Sequence, residues 1–473
     1  MVPMGMLPLL LRRQGGNLFF GGDRTILRAK ASTGNNANGA FVKYGGMIGF
    51  SSKSALIESR NTDSNSVGIN CADGTVKTSA DTDLNIVVEG NKAITGIQLT
   101  AGSSDVQLAG NLNLTATQTG QGSFASVLGI SNDSGKMAVS GPASLRLAAN
   151  APFEAKGIAA SGKAEMRFLG DVEVVVAGSA SGSALYTTYR YDYPTQAGIC
   201  PVLSLGAEGK TVTLDSSGYG INNQGGTVSL TGRRINITGG TGVFAEGGGN
   251  EDVFADVRFD GPVAINADRA IVMGIGAGEK VGASVTFAYN PTPINVPAAK
   301  ENADSQVRGS VAGASGTINK ENAGSLAFYG DISNFSGMFN QKGGTTFLSE
   351  GMAGYFGGAQ VAVTGGVLAA PALSFLKAGK LTLAGGTLKT GTGQVFTNAL
   401  NADGGMKEPG AVKLSDRNWE FDSGVIAFDD AKYNMAYAQA AADLLGAGNA
   451  AADNVFDSGS SREITFTGTL VEW

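Results

Sequence analysis

A chain of 473 residues with 72 glycines and 12 prolines stays below the Gly-plus-Pro share of a disordered low-complexity chain, and 42% hydrophobic residues supply a core. Charged residues are sparse at 16%, and a net charge of −6 argues against a nucleic-acid partner, which needs a basic footprint. The sequence contains no histidine, which excludes Ser-His-Asp and Cys-His nucleophile pairs and most zinc sites; no cofactor and no metal is expected.

Met1–Arg13 is apolar first and basic second, the reverse of a secretory leader, and Pro3 and Pro8 break any helix there. No run reaches the eighteen or so apolar residues of a membrane helix. Residues 1–38 read as an irregular segment, although Gln14–Gly22 holds a short β-like run between glycines, and a second such run spans Gly39–Phe50. From there a tag recurs, a glycine followed by an aliphatic residue: Gly68-Ile69, Gly96-Ile97, Gly129-Ile130, Gly157-Ile158, Gly198-Ile199, Gly220-Ile221, Gly242-Val243 and Gly274-Ile275. Between tags lie period-2 runs such as Leu84–Val88, Leu112–Leu114, Val172–Val176, Val212–Leu214 and Ile235–Ile237, whose intervening residues include Asn, Glu and Thr. One face is dry and the other wet, as in a strand. A shared phrase at irregular intervals suits stacked coils whose strands are fixed while their loops vary.

The longest interval, Gly157 to Gly198, contains Tyr186, Tyr189, Arg190, Tyr191, Asp192 and Tyr193, read as an insertion protruding from the coils. Tyr289–Gly316 concentrates proline and polar residues and reads as a long loop. Ile318–Thr390 returns to short alternations closed by Gly343-Gly344, Gly365-Gly366 and Gly385-Gly386, a recurrence of about twenty residues. Asp429–Leu445 reads as a helix, with acids in its first turn and Gly446 just beyond it; Arg462–Trp473 reads as strand. The expected fold class is all-β, a parallel β-helix (β-solenoid) with a short C-terminal α-helix and cap. Its divisions are 1–38, a solenoid over 39–290, a loop over 291–317, a second solenoid over 318–425 and the cap over 426–473. Cys71 and Cys200 are too few and too far apart for a disulfide framework and read as two buried thiols.

Phe335-Ser-Gly-Met-Phe-Asn-Gln-Lys-Gly-Gly344 followed by Thr345–Leu348 resembles the passenger-associated repeat of bacterial autotransporters (type V secretion). The likeness covers about seventy residues, Ile318–Thr390. It implies a parallel β-helical passenger at the cell surface or outside the cell, associated with the outer membrane and acting as adhesin or structural stalk rather than as enzyme. It also implies a signal peptide before the passenger and an outer-membrane translocator barrel after it, neither of which is evident here. Host-cell or matrix glycan or protein would be the partner.

Tyrosine offers rigid apolar area with a polar tip, so the cluster Tyr186, Tyr189, Arg190, Tyr191, Asp192 and Tyr193 is the candidate binding surface. The bland reading is a loop packing its own rings. Asp256, Arg258 and Asp260 alternate with Val257 and Phe259 and share one strand face; they make the best case for the alternative, a polysaccharide-acting β-helix enzyme (lyase or tailspike-like depolymerase). A solvated ion-pair ladder explains the same residues. Ser374–Lys377 with Lys389–Gly391 matches penicillin-recognising motifs only by chance, and Gly247–Asp252 is half of one calcium nonapeptide without neighbouring repeats. Asp429-Asp430 reads as helix capping rather than a carboxylate pair.

Overall fold

The computed structural model describes residues 16–31, 36–120, 126–149, 154–192, 197–248, 253–274, 282–294, 297, 299–349, 356–370, 379–390, 419–428 and 462–467. The chain divides into two compact units, Met1–Ile271 with Gly278–Ala283, and Val272–Ala277 with Ser284–Trp473. Each is all-β and built as a parallel β-helix, as its sequence pattern requires.

In the first unit a coil consists of three strands, one on each of three sheet faces. Gly74–Thr78, Asp83–Gly90 and Ile94–Leu99 form one such coil. Each pairs in parallel with its counterpart one coil on, Asp105–Leu108, Asn111–Gln118 and Val127–Asn132. The alternating sequence is what drives this winding. Along Asn111–Gln118, Leu112, Leu114 and Ala116 are buried while Asn111, Asn113 and Thr115 are exposed. Register then stacks like on like: Ile86 beside Leu114, Leu114 beside Leu145, Leu145 beside Val174. Burying each such side chain contributes roughly 1.5–3 kcal/mol, so the ladders are the main stabilising term.

The Gly-aliphatic tag is one of these ladders. Ala40, Ile69, Ile97, Ile130, Ile158, Leu185, Ile221 and Val243 pair in sequence across the third face. All are at most 2% exposed. The preceding glycine is demanded by close approach: a Cβ on Gly96 would lie 2.5 Å from the Gly129 carbonyl oxygen and would also meet the Leu114 side chain. Two members of the predicted series are corrected. Gly198-Ile199 is not on the ladder but in a two-residue strand paired antiparallel with Arg190–Tyr191, and Ala184-Leu185 takes the ladder position instead. Ile275 lies outside the described residues, and Ala270 follows Gly242 in the column.

In the second unit the coil shortens to about twenty residues, as the glycine doublets suggest. Ile318, Phe339, Val361 and Leu381 stack in register, and so do Leu326, Thr346 and Leu368. The phrase Phe335–Leu348 is one winding, with Phe335, Phe339 and Leu348 buried. Phe287, Phe328, Phe339 and Phe356 form a run of ring contacts, with centroids 4.8–6.5 Å apart. Gly344 has φ +63°, and a Cβ there would collide with the Gly324 carbonyl oxygen, so this turn position excludes any side chain. Ser305–Gly313, within the segment read as a loop, is a strand.

Lys320 occupies an interior position in this unit, between Phe287 and Gln341 in register, and is 2% exposed. Its Nζ donates to the carbonyls of Glu321, Asn322 and Gly343 at 2.6, 3.1 and 3.3 Å. Gln341 caps the next turn in the same manner, donating to the Gly343 and Gly344 carbonyls. At these two turns a polar side chain thus folds inward to satisfy main-chain acceptors that the turn leaves open.

Trp419–Phe428 adds a parallel strand, and Arg462–Thr467 pairs antiparallel to it. The expected helix Asp429–Leu445 lies outside the described residues. Cys71 is buried; Cys200 is only half-buried, a correction to the expectation of two buried thiols, and the two are not bonded. Burial raises both thiols above their usual range.

Candidate functional site

The tyrosine-rich stretch divides into wall and projection. Tyr186 sits in the wall strand Ser183–Thr188, paired with Ala159 on one side and Asn222 on the other. The Lys156 ammonium lies 3.3 Å from the centroid of its ring, and its hydroxyl donates to Gln224 at 3.3 Å. Beyond Thr188 the chain leaves the wall as a small antiparallel hairpin, Arg190–Tyr191 against Gly198–Ile199. This is the extra length in the coil: Ser183 pairs with Tyr219, 36 residues on, against 28 for Ser66 and Ile94.

On the hairpin, Tyr189 and Tyr191 meet edge to face with centroids 5.0 Å apart, and the Tyr191 hydroxyl donates to that of Tyr189 at 3.4 Å. That hydrogen bond and partial burial raise the Tyr189 phenol above its usual range. The Tyr189 ring lies close over Gly225 and Gly248, where a Cβ would come within 2.9 and 3.0 Å of it. Arg190 reaches back to Asp133 at 3.2 Å, which ties the projection to the wall. Tyr191 remains 47% exposed and Asp192 is exposed, while Tyr193 lies outside the described residues. The structure therefore joins Tyr189, Arg190 and Tyr191 in one projection and places Tyr186 on the wall, held by Lys156.

Asp256 and Arg258 share the outer face of one strand, with Ala255, Val257 and Phe259 inside, and Asp260 lies in the bend just past the strand's end. Arg258 pairs with Asp260 at 2.8 Å, a partly exposed pair of small energetic weight. Among the described residues no group of three His, Cys, Asp or Glu side chains is placed to hold a metal ion. Ser374–Lys377, Gly391, residues 249–252 and Asp429-Asp430 lie outside the described residues.

The same outer face carries a groove that the sequence did not reveal. It has a volume of about 800 Å³ and crosses five strands of the first face, from Asp105–Leu108 to Gly226–Leu230. Two outward columns form its floor. One runs Asp105, Lys136, Glu165, Val202 and, beyond the groove, Thr227 and Asp256; the other runs Gln107, Ala138, Arg167, Ser204, Ser229 and, beyond the groove, Arg258. Lys136 and Glu165 pair at 3.2 Å, and Gln107 donates to Asp105 at 2.6 Å. Arg167 and Glu208 make no ion pair among the described residues. Leu169 and Ala207 add apolar lining. These residues are far apart in sequence and meet only once the coils are in register. The irregular loop lengths hide that register from a reading of intervals.

No known family model, curated protein or solved structure matches this chain.

Proposed function

We propose that this chain is a non-enzymatic, surface-displayed or secreted passenger of the bacterial autotransporter kind, acting as adhesin or structural stalk. The observation that supports it is the winding at Phe335–Leu348. The residues carrying the resemblance occupy consecutive strands of one coil, with Phe339 directly between Ile318 and Val361. The chain's fixed strands make a rigid scaffold, and the hairpin bearing Tyr189 and Tyr191 presents rigid aromatic area to a host-cell or matrix glycan or protein. An outer-membrane translocator barrel is the expected export partner.

The test is to express the full chain between a secretory leader and an autotransporter barrel in a Gram-negative host. External protease applied to intact cells is expected to cut it, and Tyr189→Ala with Tyr191→Ala is expected to lower adhesion to matrix-coated surfaces. Full protection from protease would overturn display. Display with unaltered adhesion in the double variant would assign the stalk role.

A second reading, a polysaccharide-acting enzyme, draws support from the gathering of Asp105, Glu165 and Glu208 with Lys136 and Arg167 in one groove. Its distinguishing sign is new chain ends released from a polysaccharide and lost in Glu165→Gln or Glu208→Gln.

A further inference from the structure

We propose that the first-face groove is a binding site for an uncharged, linear glycan, held across the coils between Asp105 and Ser229. The inference is independent of export, because the groove is complete within the first unit.

Three features select this chemistry. The first is what the floor can offer. The strands beneath it use their N–H and C=O groups in the coil-to-coil ladders, Asp105–Leu108 with Lys136–Val139 and Lys136–Val139 with Glu165–Phe168. An extended peptide finds no free strand edge there to pair with, so recognition must run through side chains. The available groups are carboxylates, an amide, an ammonium, a guanidinium and hydroxyls, interleaved with Ala138, Val202 and Leu169. Ring hydroxyls and C–H faces of a sugar match that alternation, since each hydroxyl both donates and accepts.

The second is charge. Asp105, Glu165 and Glu208 stand against Lys136 and Arg167, and the two signs alternate along the column Asp105, Lys136, Glu165. The three carboxylates outnumber the two cations and oppose a polyanion, while Lys136 and Arg167 interrupt any continuous acidic track that a polycation would follow. An uncharged polymer meets neither obstacle. Arg167 and Glu208, without an ion-pair partner among the described residues, are placed to make charge-assisted hydrogen bonds with hydroxyls, the guanidinium donating and the carboxylate accepting.

The third is repeat. Each column presents one side chain per strand at about 4.8 Å, and five strands give a floor on the order of 20 Å long. A pyranose ring in a linear chain advances by nearly the strand spacing, so successive rings meet successive coils in equivalent positions. The groove then holds about four rings, and its volume of about 800 Å³ is within the ordinary range of small-ligand sites.

The experiment is calorimetric titration of the full chain with cellohexaose, maltohexaose and chitohexaose, and with hexagalacturonate as the charged comparator. Saturable binding of at least one of the three neutral probes is expected, tighter than hexagalacturonate. Ala138→Trp, which fills the floor from an outward position, is expected to weaken it at least about tenfold with an unchanged melting temperature. Ser204→Trp, two column positions further along, serves if Ala138→Trp alters melting. The proposal is overturned if none of the neutral probes saturates, if hexagalacturonate binds best, or if the floor-filling variant that melts like wild type binds as wild type does.

Discussion

Ile97→Asp is expected to abolish cooperative folding of the first unit. Ile97 is fully buried and stands between Ile69 and Ile130 on the third face. Replacing it removes an aliphatic side chain from a close-packed column, a loss of about 2–5 kcal/mol by the large-to-small rule. It also forces a carboxyl into a place walled by aliphatic side chains, which costs several kcal/mol more even when the group is protonated. The sum approaches the whole stability of an ordinary domain, about 5–15 kcal/mol. Neighbouring coils depend on each other for their buried faces, so the damage spreads along the stack. Ile97→Val calibrates the scale at about 1 kcal/mol. Urea titration followed by circular dichroism reads both variants. A wild-type transition in Ile97→Asp would mean that this position does not face a core.

Lys320 is expected to make the second unit more stable in mild alkali. Burial lowers its pKa from 10.5 to about 8, and the charges of Asp304 and Glu321 oppose that shift. Below pH 8 both folded and unfolded chains carry the proton, and folding bears the cost of the buried ammonium. Between about pH 8 and 10.5 the unfolded chain still binds the proton while the folded chain has released it. Stability therefore rises with pH across that window and levels off above it. The full span is worth up to about 3 kcal/mol, since one pKa unit is about 1.4 kcal/mol. The contribution is lost again as pH falls through about 8. Lys320→Met removes the titration, so the stability difference between wild type and variant is expected to shift towards wild type from pH 7.5 to 10.5. A difference that stays flat over that range would show that Nζ is not confined beneath the Glu321, Asn322 and Gly343 carbonyls.

The winding was legible in the sequence because burial in a stacked coil imposes two local rules at once. Period-2 alternation marked Leu84–Val88 and Val172–Val176 as half-buried strands, and both are. The glycine before each Ile-type position marked a close approach between coils, which Gly68 and Gly96 show. The tag failed where neither rule operated. Gly39-Ala40 carries the ladder without an Ile-type residue because Ala40 is small, and Ala184-Leu185 carries it without a glycine before the leucine. Gly198-Ile199 fitted the phrase but belongs to a hairpin outside the wall. A two-residue phrase carries no information about which sheet receives it.

The candidate site was legible only in part. Tyrosine density singled out the hairpin, since composition alone reports an aromatic insertion. The partners that fix it, Asp133 for Arg190 and Gly225 and Gly248 for Tyr189, come from neighbouring coils and cannot be inferred without register. The groove is a stronger case. Asp105, Lys136 and Glu165 look like scattered surface charges until Asp105 is set beside Lys136 and Lys136 beside Glu165. Asp256 and Arg258, noticed for their alternation, are the continuation of the same two columns.

Register is thus the claim on which fold, groove and ligand all rest, and a disulfide pair measures it directly. In a background with Cys71→Ala and Cys200→Ala, Gln107→Cys is combined with Ala138→Cys, its partner on the adjacent coil. Parallel neighbours in register stand about 4.8 Å apart, within the span a disulfide bridges. Gln107→Cys with Ser140→Cys, offset by two residues along the strand, is the control and exceeds the roughly 7 Å limit. Mass spectrometry after mild oxidation is expected to find the first pair bonded and the second as free thiols; the reverse pattern, or no bond in the first pair, would contradict the stacked-coil structure.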